Sequence, residues 1–176
     1  MTDKEAIKIA INSGDLELVK EYLNQGIDPC IDDNFPIIWA CDGGKLDIAK
    51  LLLKNPKVDP SAKGNCAIRL SYWRGHTEIV KLLLKDKRID PSSDDNFAIK
   101  WASYNGHVEV VKHLLKDNRV DPTAKDNEPI KLASIKEHRD IVRLLFKDER
   151  VRDSLKKEDI SGLIEVEYKL YKLTKF

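Results

Sequence analysis

The sequence predicts an all-α solenoid built from five helix–turn–helix repeats and a C-terminal capping helix. The first observation behind this is a 31-residue period, clearest in the stretch from Lys87 to Asp117. Self-similarity at a fixed period of this size indicates a repeat architecture. The second observation is the helical spacing of apolar residues within each copy. Asp-Pro pairs mark the period, at 28–29, 59–60, 90–91 and 121–122.

The first repeat should begin with a helix over residues 3–13, which ends at Gly14 because glycine is common just after the last helical residue. A second helix is predicted over residues 15–24. One such helix pair cannot cover its own apolar stripe, so neighbouring repeats must cover it. The buried side of the first helix is predicted to consist of Ala6, Ile7, Ile9, Ala10 and Ile11.

The later repeats follow one plan. Their first helices should begin near positions 36, 67, 98 and 129, where proline is tolerated because a first-turn amide has no helical partner. A tight turn is predicted at Gly44, Gly75 and Gly106, whereas the degraded fifth repeat has Glu137 there. The longer second helix carries its apolar residues on one stripe. In the third repeat these are Ile79, Val80, Leu83 and Leu84.

An asparagine recurs just before each of these first helices. Asparagine caps helices and tolerates left-handed backbone angles, which predicts a structural role for all four. The aspartate of each Asp-Pro pair should be extended, because the residue before proline is excluded from helical angles. The four asparagines are Asn34, Asn65, Asn96 and Asn127.

The repeat resembles the ankyrin repeat, whose pattern runs T-P-L-H-x-A-A-x-x-G-H-x-E-I-V-K-L-L-L. The segment Glu78–Leu84 matches its end letter for letter, and Gly75-His76 and Gly106-His107 match its G-H. The resemblance covers roughly residues 3 to 151 in five copies. The period is shorter than the family's usual value of about 33, which implies a shorter hairpin finger. At the T-P-L-H histidine stand Ile38, Arg69, Lys100 and Lys131.

The short period, the Asp-Pro pairs and the Lys/Asn/Asp-rich turns look most similar to ankyrin proteins of large, mimivirus-like DNA viruses that infect amoebae. The family resemblance implies a non-catalytic module that binds another protein through a concave groove. That groove is formed by the finger tips and the exposed side of the first helices. The viral resemblance further implies that the partner is a host protein and that the location is the host cytoplasm.

The chain length predicts one domain, residues 1–176. Its repeats should span about 3–27, 28–58, 59–89, 90–120 and 121–151, with a C-terminal cap over 152–176. Solenoids need such a terminal element to cover the exposed core of the last repeat. The alternative for this segment is a helix that docks into a partner's groove. Its apolar side consists of Ile160, Leu163, Ile164, Tyr168, Tyr171 and Leu173.

Composition excludes several classes of function. The formal charge of +1, from 31 basic and 30 acidic residues, argues against a nucleic-acid binder that works by counterion release. No apolar run is long enough for a membrane span or a signal peptide. The odd, sparse set of three cysteines, Cys30, Cys41 and Cys66, predicts a reducing compartment, taken to be the cytoplasm.

We expect no catalytic site, no metal and no cofactor. Equivalent histidines in neighbouring repeats should lie roughly 10 Å apart, too far to share a metal ion. No serine–histidine–acid set and no glycine-rich phosphate loop can be recognised. The histidines are therefore assigned structural roles, and they are His76, His107, His113 and His138.

The predicted partner-binding residues are the two variable positions before each repeat's glycine. Trp, Tyr and Arg are enriched in interface hot spots, so Trp73, Arg74, Tyr104 and Asn105 should form the centre. Packing of Trp73 and Tyr104 on a neighbouring helix is the open alternative, and Trp39 and Trp101 are assigned to the core. Asp42 and Lys136 are further predicted contacts. A charged rim is predicted along the fingers, and its members that should contact the partner are Asp33, Lys63, Asp94 and Lys125. Asp32 and Asp126 also belong to this rim.

We expect the protein to be a monomer that binds one protein partner. The alternative is an architectural or self-associating solenoid without a specific outside partner. It predicts an oligomer whose size depends on concentration.

Overall fold

A computed structural model describes residues 1–155 of the chain, and within that range it is helical without any strand. The predicted all-α class of stacked helix–turn–helix repeats is confirmed. The predicted capping segment lies mostly outside the described residues. The helices are α1 Asp3–Ser13, α2 Leu16–Asn24, α3 Ile31–Asp42, α4 Leu46–Leu52, α5 Ala62–Arg74, α6 Thr77–Leu83, α7 Ser93–Tyr104, α8 Val108–Leu114, α9 Ala124–Ile135, α10 Arg139–Phe146 and α11 Glu149–Ser154.

The chain forms two compact units, one of which spans Met1–Asp90 while the other begins at Pro91. In the first, α3 packs between α1 and α5, and the second helices α2, α4 and α6 form another layer against them. In the second, α7 packs on α9, and α8 and α10 lie behind them. The division into a single domain of five repeats remains a prediction.

Burial follows the predicted stripes except at Ile9 and at Leu84, which is only half-buried. Ala6, Ile7, Ala10 and Ile11 are buried in α1, but Ile9 is 58% exposed. The prediction that Ile9 belongs to the buried side is therefore wrong. Ile9 lies on the inner side of α1, which neither α2 nor the next repeat covers.

Three consecutive left-handed residues precede the regular part of each later first helix. In α3 these are Asp32, Asp33 and Asn34, with φ of 56°, 59° and 64°. Left-handed angles cost L-residues about 1–2 kcal/mol each, so other interactions must offset them. The right-handed helix then starts near the predicted positions. The equivalent segments are 63–65 in α5, 94–96 in α7 and 125–127 in α9.

Three of the four recurring asparagines connect one repeat to the next, whereas the buried Asn65 Oδ1 has no hydrogen-bond partner within the described residues. Asn34 Oδ1 accepts the backbone N–H of Asp59 at 2.8 Å, and Asn96 Oδ1 accepts that of Asp121 at 2.8 Å. These asparagines adopt left-handed angles, which suits the predicted structural role, and the side chains of Asn34 and Asn96 are bonded to the following Asp-Pro turn rather than to their own helix. In the fifth repeat, where Asp-Pro is lost, Asn127 Oδ1 accepts the Ser154 hydroxyl instead.

An Asp-x-Arg motif, which the sequence reasoning overlooked, forms a second connection that we call the arginine bridge. Arg88 binds Asp86 in its own repeat and donates from Nη1 to the carbonyl oxygen of Val58, one repeat earlier, at 3.3 Å. Arg150 does the same with Asp148 and the Val120 carbonyl at 3.0 Å. The motif recurs at the 31-residue period and could have been found from it.

Histidines form the third connection, at the opposite end of the first helices. His76 Nε2 donates to the carbonyl oxygen of Asp42 at 3.0 Å, and a Cβ added at Gly44 would lie 2.8 Å from the His76 ring. His138 Nε2 donates to the Tyr104 carbonyl at 2.9 Å. These two rings therefore have the structural role predicted for them.

Acid should weaken the second compact unit through the arginine bridge. The hydrogen bond from Arg150 lowers the pKa of the Asp148 carboxyl in the folded state. The ionised Asp148 carboxylate therefore stabilises the folded state fully above the unfolded pKa of about 3.9. This contribution to the free energy of unfolding is lost as the pH falls through the lower folded pKa. We expect the free energy of unfolding in urea to drop as the pH falls below about 4, and Asp148→Asn to flatten that drop. Asp140→Asn, at a 78% exposed position, is the control, and equal slopes for both variants would contradict this account.

Replacing Glu137 by glycine should stabilise the fifth repeat. Glu137 has a φ of 59° at the position where Gly44 and Gly106 have 68° and 79°. Relief of left-handed strain, partly offset by the greater freedom of glycine in the unfolded chain, should raise the free energy of unfolding by about 0.5–1 kcal/mol. Glu137→Ala keeps the Cβ and should bring no gain in the same urea titration. An equal gain in both variants would refute the strain argument.

Candidate binding surface

The side of the first helices that neighbouring helices leave uncovered is called the inner face. In the first compact unit it carries Ile9, Trp39 and Leu70, which occupy one repeat position in α1, α3 and α5. In the second it carries Trp101 and Leu132 at the same position of α7 and α9. Apart from the exposed Ile9, all of these side chains are half-buried. Large apolar groups are thus in contact with solvent along the inner face.

The predicted central residues lie at the C-terminal ends of the first helices. Trp73 is 41% exposed and Arg74 is exposed at the end of α5. Tyr104 and Asn105 are half-buried at the end of α7. Trp73 and Arg74 belong to the first compact unit, and Tyr104 and Asn105 to the second.

The structure brings two predicted residues of neighbouring repeats together. Arg74 Nε donates to Asp42 Oδ1 at 2.8 Å, and both side chains remain partly exposed. Exposed pairs of this kind contribute about 0–1 kcal/mol, so a partner can exchange them at little cost.

The predicted charged rim is a series of ion pairs between successive fingers. Lys63 Nζ lies 3.2 Å from Asp33 Oδ2. Lys125 Nζ lies 3.0 Å from the carboxylate of Asp95, not from that of Asp94. Asp95 was absent from the predicted set, although it stands 62 residues after Asp33 and therefore at the same repeat position. The repeat register could have identified it.

Tyr104, Asn105 and Lys136 gather around Trp101. The rings of Trp101 and Tyr104 meet edge to face with centroids 5.3 Å apart. Asn105 Nδ2 donates to the Trp101 carbonyl at 2.9 Å, and Lys136 Nζ lies 4.5 Å from the Tyr104 ring centroid. With Phe97, whose ring centroid is 5.6 Å from that of Trp101, they form an aromatic cluster.

The assignment of Trp39 and Trp101 to the core is wrong, because both are only half-buried. The neighbouring residue Ala40 is fully buried instead. Trp39 stacks on Phe35, four residues earlier, with ring centroids 5.3 Å apart at an interplanar angle of 25°. Side chains four residues apart share a helix face. The Phe-x-x-x-Trp spacing was therefore the signal that could have revealed these aromatic pairs.

Lysines surround the pair formed by Phe35 and Trp39. The Nζ atoms of Lys4 and Lys63 lie 5.4 and 4.8 Å from the Phe35 ring centroid. Lys8 Nζ lies 5.5 Å from the Trp39 ring centroid. These distances are in the range of cation–π attraction. We call these five residues the lysine–aromatic cluster.

Reactive thiols and metal-binding groups were sought in the rest of the described residues. Burial raises the pKa of the Cys41 thiol to about 12, so it remains protonated and inert near neutral pH. Residues 1–155 hold no group of three or more His, Cys, Asp or Glu arranged to bind a metal ion. None of the helices described is both long and apolar enough to cross a membrane.

These features define a helical-repeat scaffold in which each compact unit presents aromatic and charged side chains on the inner face of its first helices. The chain matches the family model for ankyrin repeats (3 copies) over residues 7–95 and 86–154, and it therefore belongs to the ankyrin-repeat family. Comparison with curated proteins gave no match. Ankyrin repeats are generally protein–protein interaction modules and typically non-catalytic scaffolds.

Trp73 should be dispensable for folding, whereas Trp39 should not. Trp73→Ala should lower the free energy of unfolding by no more than about 0.5 kcal/mol, as is usual for surface substitutions. Trp39→Ala removes the stack on Phe35 and the contact with Lys8, and should cost about 1–3 kcal/mol. Urea unfolding followed by far-UV circular dichroism measures both. A loss with Trp73→Ala as large as that with Trp39→Ala would make Trp73 a packing residue.

Proposed function

We propose that this chain is a non-catalytic module that binds a protein partner on the inner face of its first helices. The observation that carries the proposal is Trp73, a tryptophan 41% exposed at the end of a rigid helix. Exposing so large an apolar side chain is useful when a partner covers it, and tryptophan is the residue type most enriched in interface hot spots.

In this proposal each compact unit contributes its own contacts. The first contributes Trp73, Arg74 and Asp42, and the second contributes Tyr104, Asn105 and Lys136. Arg74 and Asp42 neutralise each other in the free protein, so one of them is released when a partner supplies an opposite charge. The ion pairs Lys63–Asp33 and Lys125–Asp95 at the finger rim can likewise release one member to a charged partner. The proposed rim residues are Asp33, Lys63, Asp94 and Lys125.

The proposed setting is the cytoplasm, and the proposed molecule is a monomeric single domain. The three cysteines, Cys30, Cys41 and Cys66, are free thiols, which suits a reducing compartment. If the protein is viral, as its short period and Asp-Pro turns suggest, its partner is a protein of the host. The sequence pattern supports this origin, and the partner itself is to be identified by experiment.

Affinity capture from a eukaryotic lysate tests the proposal. The parent protein should retain a partner that Trp73→Ala/Tyr104→Ala loses by at least tenfold, because two central anchors at about 1–2 kcal/mol each are removed. Phe146→Ala, which removes a 38% exposed aromatic from the end of α10, is the matched control and should retain the partner. Helical content and melting temperature must agree among all proteins.

Retention of the same proteins by the parent and the double variant would place binding elsewhere. Capture of nothing by either, together with a mass that rises with concentration in light scattering, would show a self-associating module instead.

A further inference from the structure

We infer that the partner segment that docks on the first compact unit combines acidic side chains with apolar anchors. This rests on the proposed function and specifies its partner. In this inference the lysine–aromatic cluster binds the carboxylates of the partner segment. The adjoining apolar row binds its apolar anchors.

The apolar row consists of Ile9, Trp39 and Leu70. They stand at the same repeat position in α1, α3 and α5, and these helices pack in that order. Packed helices lie about 8–10 Å apart, so the row offers three apolar contacts at regular intervals. Ile9 is 58% exposed and Trp39 half-buried, which leaves apolar surface for a partner to cover.

Cations lie directly beside this row. Lys8 precedes Ile9 in α1 and holds its ammonium 5.5 Å from the Trp39 ring centroid. Lys4 and Lys63 hold theirs near the Phe35 ring. An exposed ammonium gains little from an aromatic face and much more from a hydrogen-bonded carboxylate. Lys8 can therefore turn to an incoming carboxylate while the Trp39 ring remains as an apolar contact, whereas Lys4 and Lys63 must first release Asp32 and Asp33.

The balance of charge on this face favours an acidic partner. Two nearby carboxylates already have cationic partners: Asp32 pairs with Lys4, and Asp33 pairs with Lys63. Glu5, a further carboxylate of α1, accepts the Thr2 backbone N–H at the start of the helix. The cation beside the Trp39 ring is the exposed Lys8. A carboxylate of the partner complements that charge, and complementary potentials steer association and reject like-charged partners.

A peptide fits this surface better than a nucleic acid does. Aspartates alternate with the lysines along the fingers, so a continuous phosphate backbone would meet Asp32 and Asp33 as well as the ammonium groups. The chain's near-zero net charge provides no broad basic field. Isolated carboxylates of a peptide can reach individual lysines and avoid the aspartates.

The test is a selection from a random dodecapeptide library displayed on phage, against the intact chain. Recovered peptides should be enriched in Asp or Glu next to Leu, Ile or Phe. A synthetic copy of the most enriched peptide, labelled with fluorescein, should lose at least fivefold in affinity with Lys8→Glu. Lys50→Glu, the same change on the exposed side of α4, should stay within twofold. Raising the salt concentration should weaken binding to the parent.

The inference is overturned if the selection yields nothing, if the peptides show no acidic enrichment, or if Lys8→Glu, with parent-like helicity, binds as the parent does. If the selected peptides are neutral or basic and the Trp73→Ala/Tyr104→Ala variant no longer binds them, the proposed function is supported and only this inference is contradicted. If the peptides are acidic and their binding depends on Lys8 but not on Trp73 or Tyr104, this inference is supported and the proposed binding residues are contradicted. A fluorescent dT20 oligonucleotide that binds the parent and not Lys8→Glu would assign the cluster to nucleic acid and also overturn it.

Discussion

The stacking of each helix pair on the next is the interaction on which the rest of each compact unit depends. A single pair leaves its apolar stripe uncovered, and α3, with Ile37 and Ala40 fully buried, is covered because it contacts both α1 and α5. Polar connections then set the register. Asn34 and the arginine bridge of Arg88 link repeats at the finger end, and His76 links them at the opposite turn.

Stacking also determines which side chains remain available to a partner. The helix α3, for example, contacts α1 and α5 on either side and α4 in the layer of second helices, and Trp39 on its inner face is left partly open. Trp39 is half-buried there and stacks on Phe35, which is half-buried as well. The same repeats that build the core thus carry a row of apolar and charged groups on helices, and a helical backbone that is formed before binding reduces the entropy lost on association.

The repeat period was sufficient to predict the fold class, the bounds of the first two helices and the turn glycines, because stacking imposes the same pattern on every copy. The prediction that the second helix is the longer one was wrong, since α4 has 7 residues and α3 has 12. It could not predict exposure at a given position, since the inner and buried sides of a short helix differ by one residue. Ile9 and Trp39 were misassigned for this reason. The left-handed triplets, such as Asp32-Asp33-Asn34, escaped prediction because aspartate and lysine rarely adopt such angles. The bond from Asn34 to the next repeat and the ion pairs of Asp32 and Asp33 with lysines of neighbouring repeats contribute to holding that conformation.

The most direct test of the account is a nitrogen-15 heteronuclear spectrum of the free and partner-bound protein. All three tryptophans of the chain, Trp39, Trp73 and Trp101, occur in first helices, so their indole N–H signals report on the inner face. The account predicts that the Trp39 and Trp73 indole signals shift or broaden when the partner binds, while the backbone amides of α4 and α6 hardly move. Unchanged indole signals together with shifted α4 and α6 amides would contradict it.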